Sequence, residues 1–297
     1  MIRLFIFTSL VVLTAVNCNN NTGTTEKNNN MPNTTTQQKD TVVKNYALIN
    51  GLNMYYEIYG NEGTPLVLLH GGGSTIETTF GNILPLLVKE YKIIAVELQA
   101  HGRTGDRDID LSFEQDADDV AGLLKHLNVS KANIFGFSNG GNTAMQIAIR
   151  HPEVVNKLIV ASSFYKREAF PPGFFEGMEK ATLDNMPEPL KTGYLKLVPD
   201  TAHLRVMFNK DRKRMLTFKD WKDADMQSIQ APTLFILGDK DVVSTAHATA
   251  MSHLLPHAQL NILPSEHGAF IGEVSTYKGD TKMIDSTIAI IKTFLNK

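Results

Sequence analysis

Residues 136–140 read Gly-Phe-Ser-Asn-Gly, a serine between two glycines where the apolar run KANIFGF meets the helical pattern SNGGNTAMQIAIRHP. The spacing fits the G-x-S-x-G nucleophile elbow. In that motif a hydroxyl stands on a strained strand-to-helix turn, and the residues two before and two after it must be small. The chemistry this would support is attack of Ser138 on a carbonyl, near the positive end of the helix dipole. Gly136 to Thr143 also fits the phosphate-cradling pattern G-x-x-x-x-G-K-[ST], except that Asn142 replaces the lysine. An amide cannot neutralise phosphate charge, and no apolar run ends in a matching magnesium-binding aspartate, so nucleotide chemistry is set aside.

A serine hydroxyl is a poor nucleophile until a base takes its proton, and the base needs an acid to hold its tautomer. Behind an elbow of this kind the expected chain order is serine, acid, histidine. Downstream, PTLFILG ends in Asp239-Lys240-Asp241, and AQLNILP ends in Ser265-Glu266-His267-Gly268. An acid and a histidine therefore follow in that order, each just past an apolar run. Upstream, PLVLLH empties into His70-Gly71-Gly72-Gly73, a glycine loop of the type that lends a backbone N–H to a developing oxyanion. The N–H groups of Gly72 and of Asn139, the residue after the nucleophile, are the expected oxyanion donors. His253 and His257 are four apart, but Pro256 spoils their shared helical face and no cysteine or carboxylate completes a zinc set. No metal and no cofactor is expected.

The elements that must hold these residues alternate in type. TVVKNYALING and LNMYYEIYG read as a two-strand hairpin across Asn50-Gly51. PLVLLH reads as a strand buried on both faces, and KIIAVEL, KANIFGF, NKLIVASS, PTLFILG and AQLNILP read as further strands. Between them lie helical patterns: IETTFGNILPLLVKE with a break expected at Pro85, LSFEQDADDVAGLLKHLN with Ser112 and Gln115 in capping-box spacing, STAHATAMSHLLP, and the closing KMIDSTIAIIKTFL. Strand–helix alternation implies an α/β fold with a mostly parallel central sheet and helices on both faces, with ligands at the carboxyl ends of strands. Residues 164–226 break the rhythm, mixing aromatic, methionine and proline residues with charge.

The chain has 297 residues, 42% of them hydrophobic, enough for one large core. A net charge of -2 gives no global basic field, so nucleic acid is not an expected partner. The basic run KDRKRMLTFK, 210–219, reads as a solvated helix face. At the N-terminus, Arg3 and then LFIFTSLVVLTAV have the length of a signal-peptide core rather than a membrane span, which makes residues 1–17 a signal peptide. Cys18, the single cysteine, follows directly and resembles the lipidated cysteine of bacterial lipoproteins. Residues 18–41, Asn/Thr-rich and without apolar periodicity, read as a disordered tether. The expectation is an exported protein, anchored to a membrane through Cys18 in the periplasm or at the cell surface, or secreted if Cys18 is not lipidated.

Taken together, LLHGGGS (68–74), VELQAHGRTGD (96–106), GFSNGG (136–141), WKDADMQSIQAPTLFILGDKDVV (221–243) and SEHGAF (265–270) resemble the α/β-hydrolase-fold serine hydrolases of the capped, single-domain type. That group includes esterases, C–C bond hydrolases, haloperoxidase-like enzymes and proline iminopeptidases. The resemblance covers about residues 42–297 and implies a small helical cap at about 164–226. It takes the last aspartate of a Gly-x-x-Asp turn as the acid, which selects Asp241 over Asp239. Glu97, Ala100 and Glu266 depart from the pattern, standing where aspartate, glycine and glycine are usual. The implied activity is carboxylesterase-like (EC 3.1.1): cleavage of a small, apolar acyl substrate by Ser138, His267 and Asp241. Phe170, Phe174, Phe175 and Trp221 are the candidates to bind that substrate. A serine-dependent acyltransferase, or a C–C bond hydrolase or aminopeptidase on the same fold, stands as the alternative.

Overall fold

Asn50 and Gly51 both take left-handed backbone, with φ of 49° and 79°, which matches the twist of a two-residue hairpin turn. They join β1 (Val42–Ile49) to β2 (Leu52–Tyr59), paired from Val42↔Tyr59 to Ile49↔Leu52. The structure is a computed structural model that describes residues 42–60 and 62–297. The expected signal peptide, Cys18 and the whole of the expected tether lie outside the described residues. Six further strands follow: β3 (Leu66–Leu69), β4 (Ile93–Val96), β5 (Ala132–Phe137), β6 (Val155–Ala161), β7 (Thr233–Lys240) and β8 (Ala258–Glu266). Together they form one sheet of order β1-β2-β4-β3-β5-β6-β7-β8. Only β2 runs against its neighbours; β4, β3, β5, β6, β7 and β8 are parallel.

Helices α1 (Ile76–Phe80) and α2 (Leu84–Leu87) replace the single helix suggested by IETTFGNILPLLVKE, with Pro85 in the first turn of α2 where its missing N–H costs nothing. Then come α3 (Phe113–His126), capped by the Ser112 hydroxyl on the Gln115 N–H, and α4 (Asn139–Arg150), which ends just before Pro152. Between β6 and β7 lie α5 (Phe174–Lys180), α6 (Glu188–Leu197), α7 (Thr201–Thr217) and α8 (Asp223–Gln227). Helices α9 (Thr245–Leu254) and α10 (Thr281–Leu295) complete the order.

The central strands β3 and β4 are apolar and buried at every position because each faces two layers. In β3, Val67 and Leu69 join one core with Val120, Leu123 and Met145, while Leu66 and Leu68 join the other with Phe80, Leu87 and Ile291. Neighbours β5, β6 and β7 split their side chains the same way, as the period-two geometry of a strand requires. A third cluster, built on Leu183, Met186, Leu190, Tyr194, Leu204 and Met207, packs the α6–α7 insertion onto Ala100 and Leu111. Ala100, in the place of an expected glycine, takes the left-handed φ of 64° that glycine would adopt freely.

Candidate active site

Ser138 sits between β5 and α4 at φ 53° and ψ -123°, a backbone conformation that L-residues rarely hold. The glycines around it are steric requirements. A Cβ on Gly136 would stand 2.1 Å from the Gly140 carbonyl oxygen, and one on Gly140 would stand 2.2 Å from that of Leu69. The sharp turn lifts the Ser138 hydroxyl to 3.2 Å from His267 Nε2. His267 follows β8, and its Nδ1 lies 2.7 Å from Asp241 Oδ1. Asp241 follows β7. So three residues separated by 103 and 26 positions in the sequence meet in one hydrogen-bonded line at the carboxyl edge of the sheet.

The two candidate acids have different work. Asp239 accepts the Ser265 N–H at 3.0 Å and so ties the end of β8 to that of β7. Asp241 reaches the imidazole. Burial alone would raise its carboxyl, but the hydrogen bond and charge of His267, the Ser162 hydroxyl and the Val243 amide outweigh that and hold it below its ordinary value. Glu266 turns outward to Lys278, leaving the His267 ring against Phe137 at a centroid distance of 4.9 Å. The Thr276 hydroxyl donates to the His267 carbonyl at 2.7 Å and fixes the loop.

His70 shapes the glycine loop. Its Nε2 accepts the Leu98 N–H at 3.0 Å, so Nδ1 carries the proton and donates to the Gly71 carbonyl at 2.8 Å. Burial pushes this imidazole down to about 3, which keeps it neutral in that tautomer. In a trans peptide the carbonyl and the next N–H point in opposite directions. Pinning the Gly71 carbonyl on His70 therefore turns the Gly72 N–H the other way. No acceptor among the described residues takes that N–H, and Asn139, as the first residue of α4, has an N–H with no intrahelical partner.

A cavity of about 340 Å³ opens over Ser138 and His267. Its walls are mostly apolar: Phe164, Phe170, Phe174, Met186, Leu190 and Met207 contribute. Phe170 and Phe174 stack at 4.1 Å and 12°. The structure leaves the other two expected substrate contacts outside this wall. Phe175 turns away under the Arg167 guanidinium, 3.5 Å from its ring centroid. Trp221 packs edge-on against Phe113 and close to Phe218 in the core beside α3. Aromatic composition marks a residue for burial without saying which of two apolar surroundings receives it.

The expectation of a solvated face over 210–219 holds only for Lys213, Thr217 and Lys219. Asp211 and Arg214 are buried, because α7 turns Leu204, Met207, Asp211, Arg214 and Met215 inward at helical spacing. Arg214 pairs with Asp116 of α3 at 2.7 Å and with Asp211. Asp211 also accepts from the Asn139 side chain at 3.1 Å and lines the cavity. A Cβ on Gly72 would stand 2.4 Å from Asp211 Oδ2 and from Asn139 Nδ2, so the insertion reaches the glycine loop itself. Arg214 counters the cost of burying Asp211 and holds its carboxyl well below the usual range.

Residues 64–194 match a family model described as alpha/beta hydrolase fold. A dihydrolipoyllysine-residue acetyltransferase component of an acetoin cleaving system, from Pseudomonas putida, is 28% identical over 232 residues, 71% of this chain and 60% of that protein. A 2-hydroxy-6-oxo-6-(2'-aminophenyl)hexa-2,4-dienoic acid hydrolase from Metapseudomonas resinovorans is 28% identical over 130 residues, 43% of this chain and 44% of that protein. The matches thus span between 44% and 60% of these two relatives. Among solved structures, a 2-hydroxy-6-oxo-6-phenylhexa-2,4-dienoate hydrolase from Rhodococcus sp. strain RHA1 superposes with a TM-score of 0.71 at 17% identity, covering 87% of this chain and all of that one. The chain has the α/β-hydrolase fold, with an eight-stranded, mostly parallel sheet.

Proposed function

We propose that this chain is a serine hydrolase that cleaves a carboxylic ester of a small, apolar acyl compound through an acyl-enzyme. One observation carries the reading: the line Ser138 Oγ–His267 Nε2, His267 Nδ1–Asp241 Oδ1 beneath a mostly apolar cavity. Ser138 Oγ attacks the ester carbonyl carbon while its proton passes to His267 Nε2, and Asp241 stabilises the imidazolium that forms. The N–H groups of Gly72 and Asn139 take the charge on the carbonyl oxygen; each such donor contributes on the order of 3 kcal/mol to lowering the barrier. Collapse breaks the acyl C–O bond, and His267 returns the proton to the leaving alcohol. Water, deprotonated by the same imidazole, then attacks the acyl-enzyme, releases the acid and restores the serine.

Two measurements test this. A fluorophosphonate should label Ser138 in folded protein, and a panel of aryl esters, thioesters, lactones and aminoacyl-proline substrates should give its highest kcat/KM on apolar esters. Absence of both labelling and ester turnover would sink the reading. A second reading, C–C bond hydrolysis by the same residues, is favoured by the dienoic acid hydrolases among the relatives. Such a substrate brings a carboxylate into the cavity, where the charged wall groups are Asp211 and Arg212. Arg212 is held by the Met178 and Glu179 carbonyls, and Asp211 would repel the acid, which weighs toward the uncharged ester. Faster turnover of a 2-hydroxy-6-oxo-dienoate than of any ester would reverse that choice.

Attachment of lipid to Cys18 is part of the same proposal and rests on the sequence alone. Among the described residues no helix is long and apolar enough to cross a membrane. If the lipid on Cys18 is the anchor, Cys18→Ser in the full chain should move the protein from the membrane fraction to the soluble one. An unchanged distribution would remove the anchor from the model of its biology.

A further inference from the structure

The end of β6 runs into Ser162 and Ser163, and each hydroxyl is committed to a different part of the site. Ser163 Oγ donates to the Ser138 carbonyl at 2.7 Å and so braces the strained elbow. Ser162 Oγ donates to Asp241 Oδ2 at 2.6 Å. Ser162 is only 2% exposed and holds φ 53°, the left-handed region that favours glycine. Glycine would relax the backbone there and would lack the hydroxyl. A serine thus stands at a backbone angle that favours glycine, at the position where its hydroxyl meets the acid.

The Asp241 side chain is fully buried, so each oxygen depends on protein partners. Oδ1 receives the Val243 N–H at 3.0 Å and faces His267 Nδ1. Oδ2 is met by Ser162 alone among the described residues. Without that hydroxyl one oxygen of a buried carboxylate is left unpaired, and the Cβ–Cγ torsion is restrained at one end only. We propose that Ser162 is a positioning residue, which fixes the Asp241 carboxylate and through it the His267 ring that activates Ser138. This rests on the reading of Ser138, His267 and Asp241 as the catalytic set. Ser162 also borders the cavity, so a substrate contact is the competing role. The two separate cleanly, since a group acting through Asp241 changes kcat, and a group gripping substrate changes KM.

The test is a double-mutant cycle on an aryl ester. Ser162→Ala should lower kcat roughly 10-fold, the scale of one hydrogen bond to a charged group, with KM within about twofold. In an Asp241→Ala background the same change should cost less than about twofold, because nothing remains for the hydroxyl to hold. Ser162→Gly removes the hydroxyl while easing the backbone and serves if the alanine variant folds poorly. Equal losses in both backgrounds, a loss confined to KM, or no loss in the wild-type background would overturn the proposal. A readout independent of turnover keeps it distinct from the hydrolase reading. The low-field proton resonance of His267 Nδ1–H should be present in wild-type protein and shifted or broadened in Ser162→Ala and Ser162→Gly. If that resonance changes while no substrate is turned over, the positioning role stands and the hydrolase reading falls. If it does not change, Ser162 does not position Asp241.

Discussion

Ser138→Ala is expected to lower kcat by about 10⁶-fold while leaving the fold in place. The size of the loss follows from the hydroxyl being the group that would form the acyl bond in the proposed reaction; the oxyanion donors and the cavity would survive and retain a small residual rate. Stability should hardly change, within about 0.5 kcal/mol, because the hydroxyl's partner is the partly exposed His267 ring and alanine keeps the φ of 53° that serine already tolerates. Ser138→Gly sharpens the test. It is equally inactive, but glycine accepts this backbone, so it should be about 1 kcal/mol more stable than Ser138→Ala. Kinetics on an ester together with thermal melts of the two variants check both halves. Activity in Ser138→Ala within 100-fold of wild type removes Ser138 from the mechanism. Equal melting of the two variants would show that the elbow is not strained in solution.

The line from Ser138 to Asp241 was legible because each member sits at or just past the carboxyl end of a mainly apolar run. In a doubly covered parallel sheet such ends open onto one edge, so chain order and strand ends together predict a meeting in space. Asn50-Gly51 was legible for a local reason, the φ values that a two-residue turn demands. What escaped depends on pairings across long separations. Arg214 meets Asp116 from 98 residues away, and Asp211 meets Asn139 from 72. Read locally, KDRKRMLTFK is a charged surface. Read with the preceding turns, Leu204, Met207, Asp211 and Arg214 continue one inward stripe, and that periodicity was the available signal. Ser162 carries no comparable local signal, because its partner Asp241 lies 79 residues away. The structure gives that position a donor, which serves the carboxylate arriving from β7.

That donor bears on the second large effect, Asp241→Asn. An asparagine in this place must turn its NH₂ toward one of two sites. Toward the Oδ1 site, the NH₂ would confront the Val243 N–H and leave His267 Nδ1 facing a donor, forcing the proton onto Nε2, the wrong tautomer for accepting from Ser138. Toward the Oδ2 site, it meets only the Ser162 hydroxyl, which can rotate from donor to acceptor. The second orientation gives the NH₂ an acceptor and keeps an oxygen on both His267 and the Val243 N–H. The charge that stabilises the imidazolium is lost, yet the tautomer is kept. The expected loss in kcat is therefore about 10³-fold, short of the roughly 10⁴-fold that a forced wrong tautomer brings. Measured kcat across pH decides it: a loss of 10⁴-fold or more that recovers at high pH would show the tautomer flipped, and with it that Ser162 cannot accept as readily as it donates.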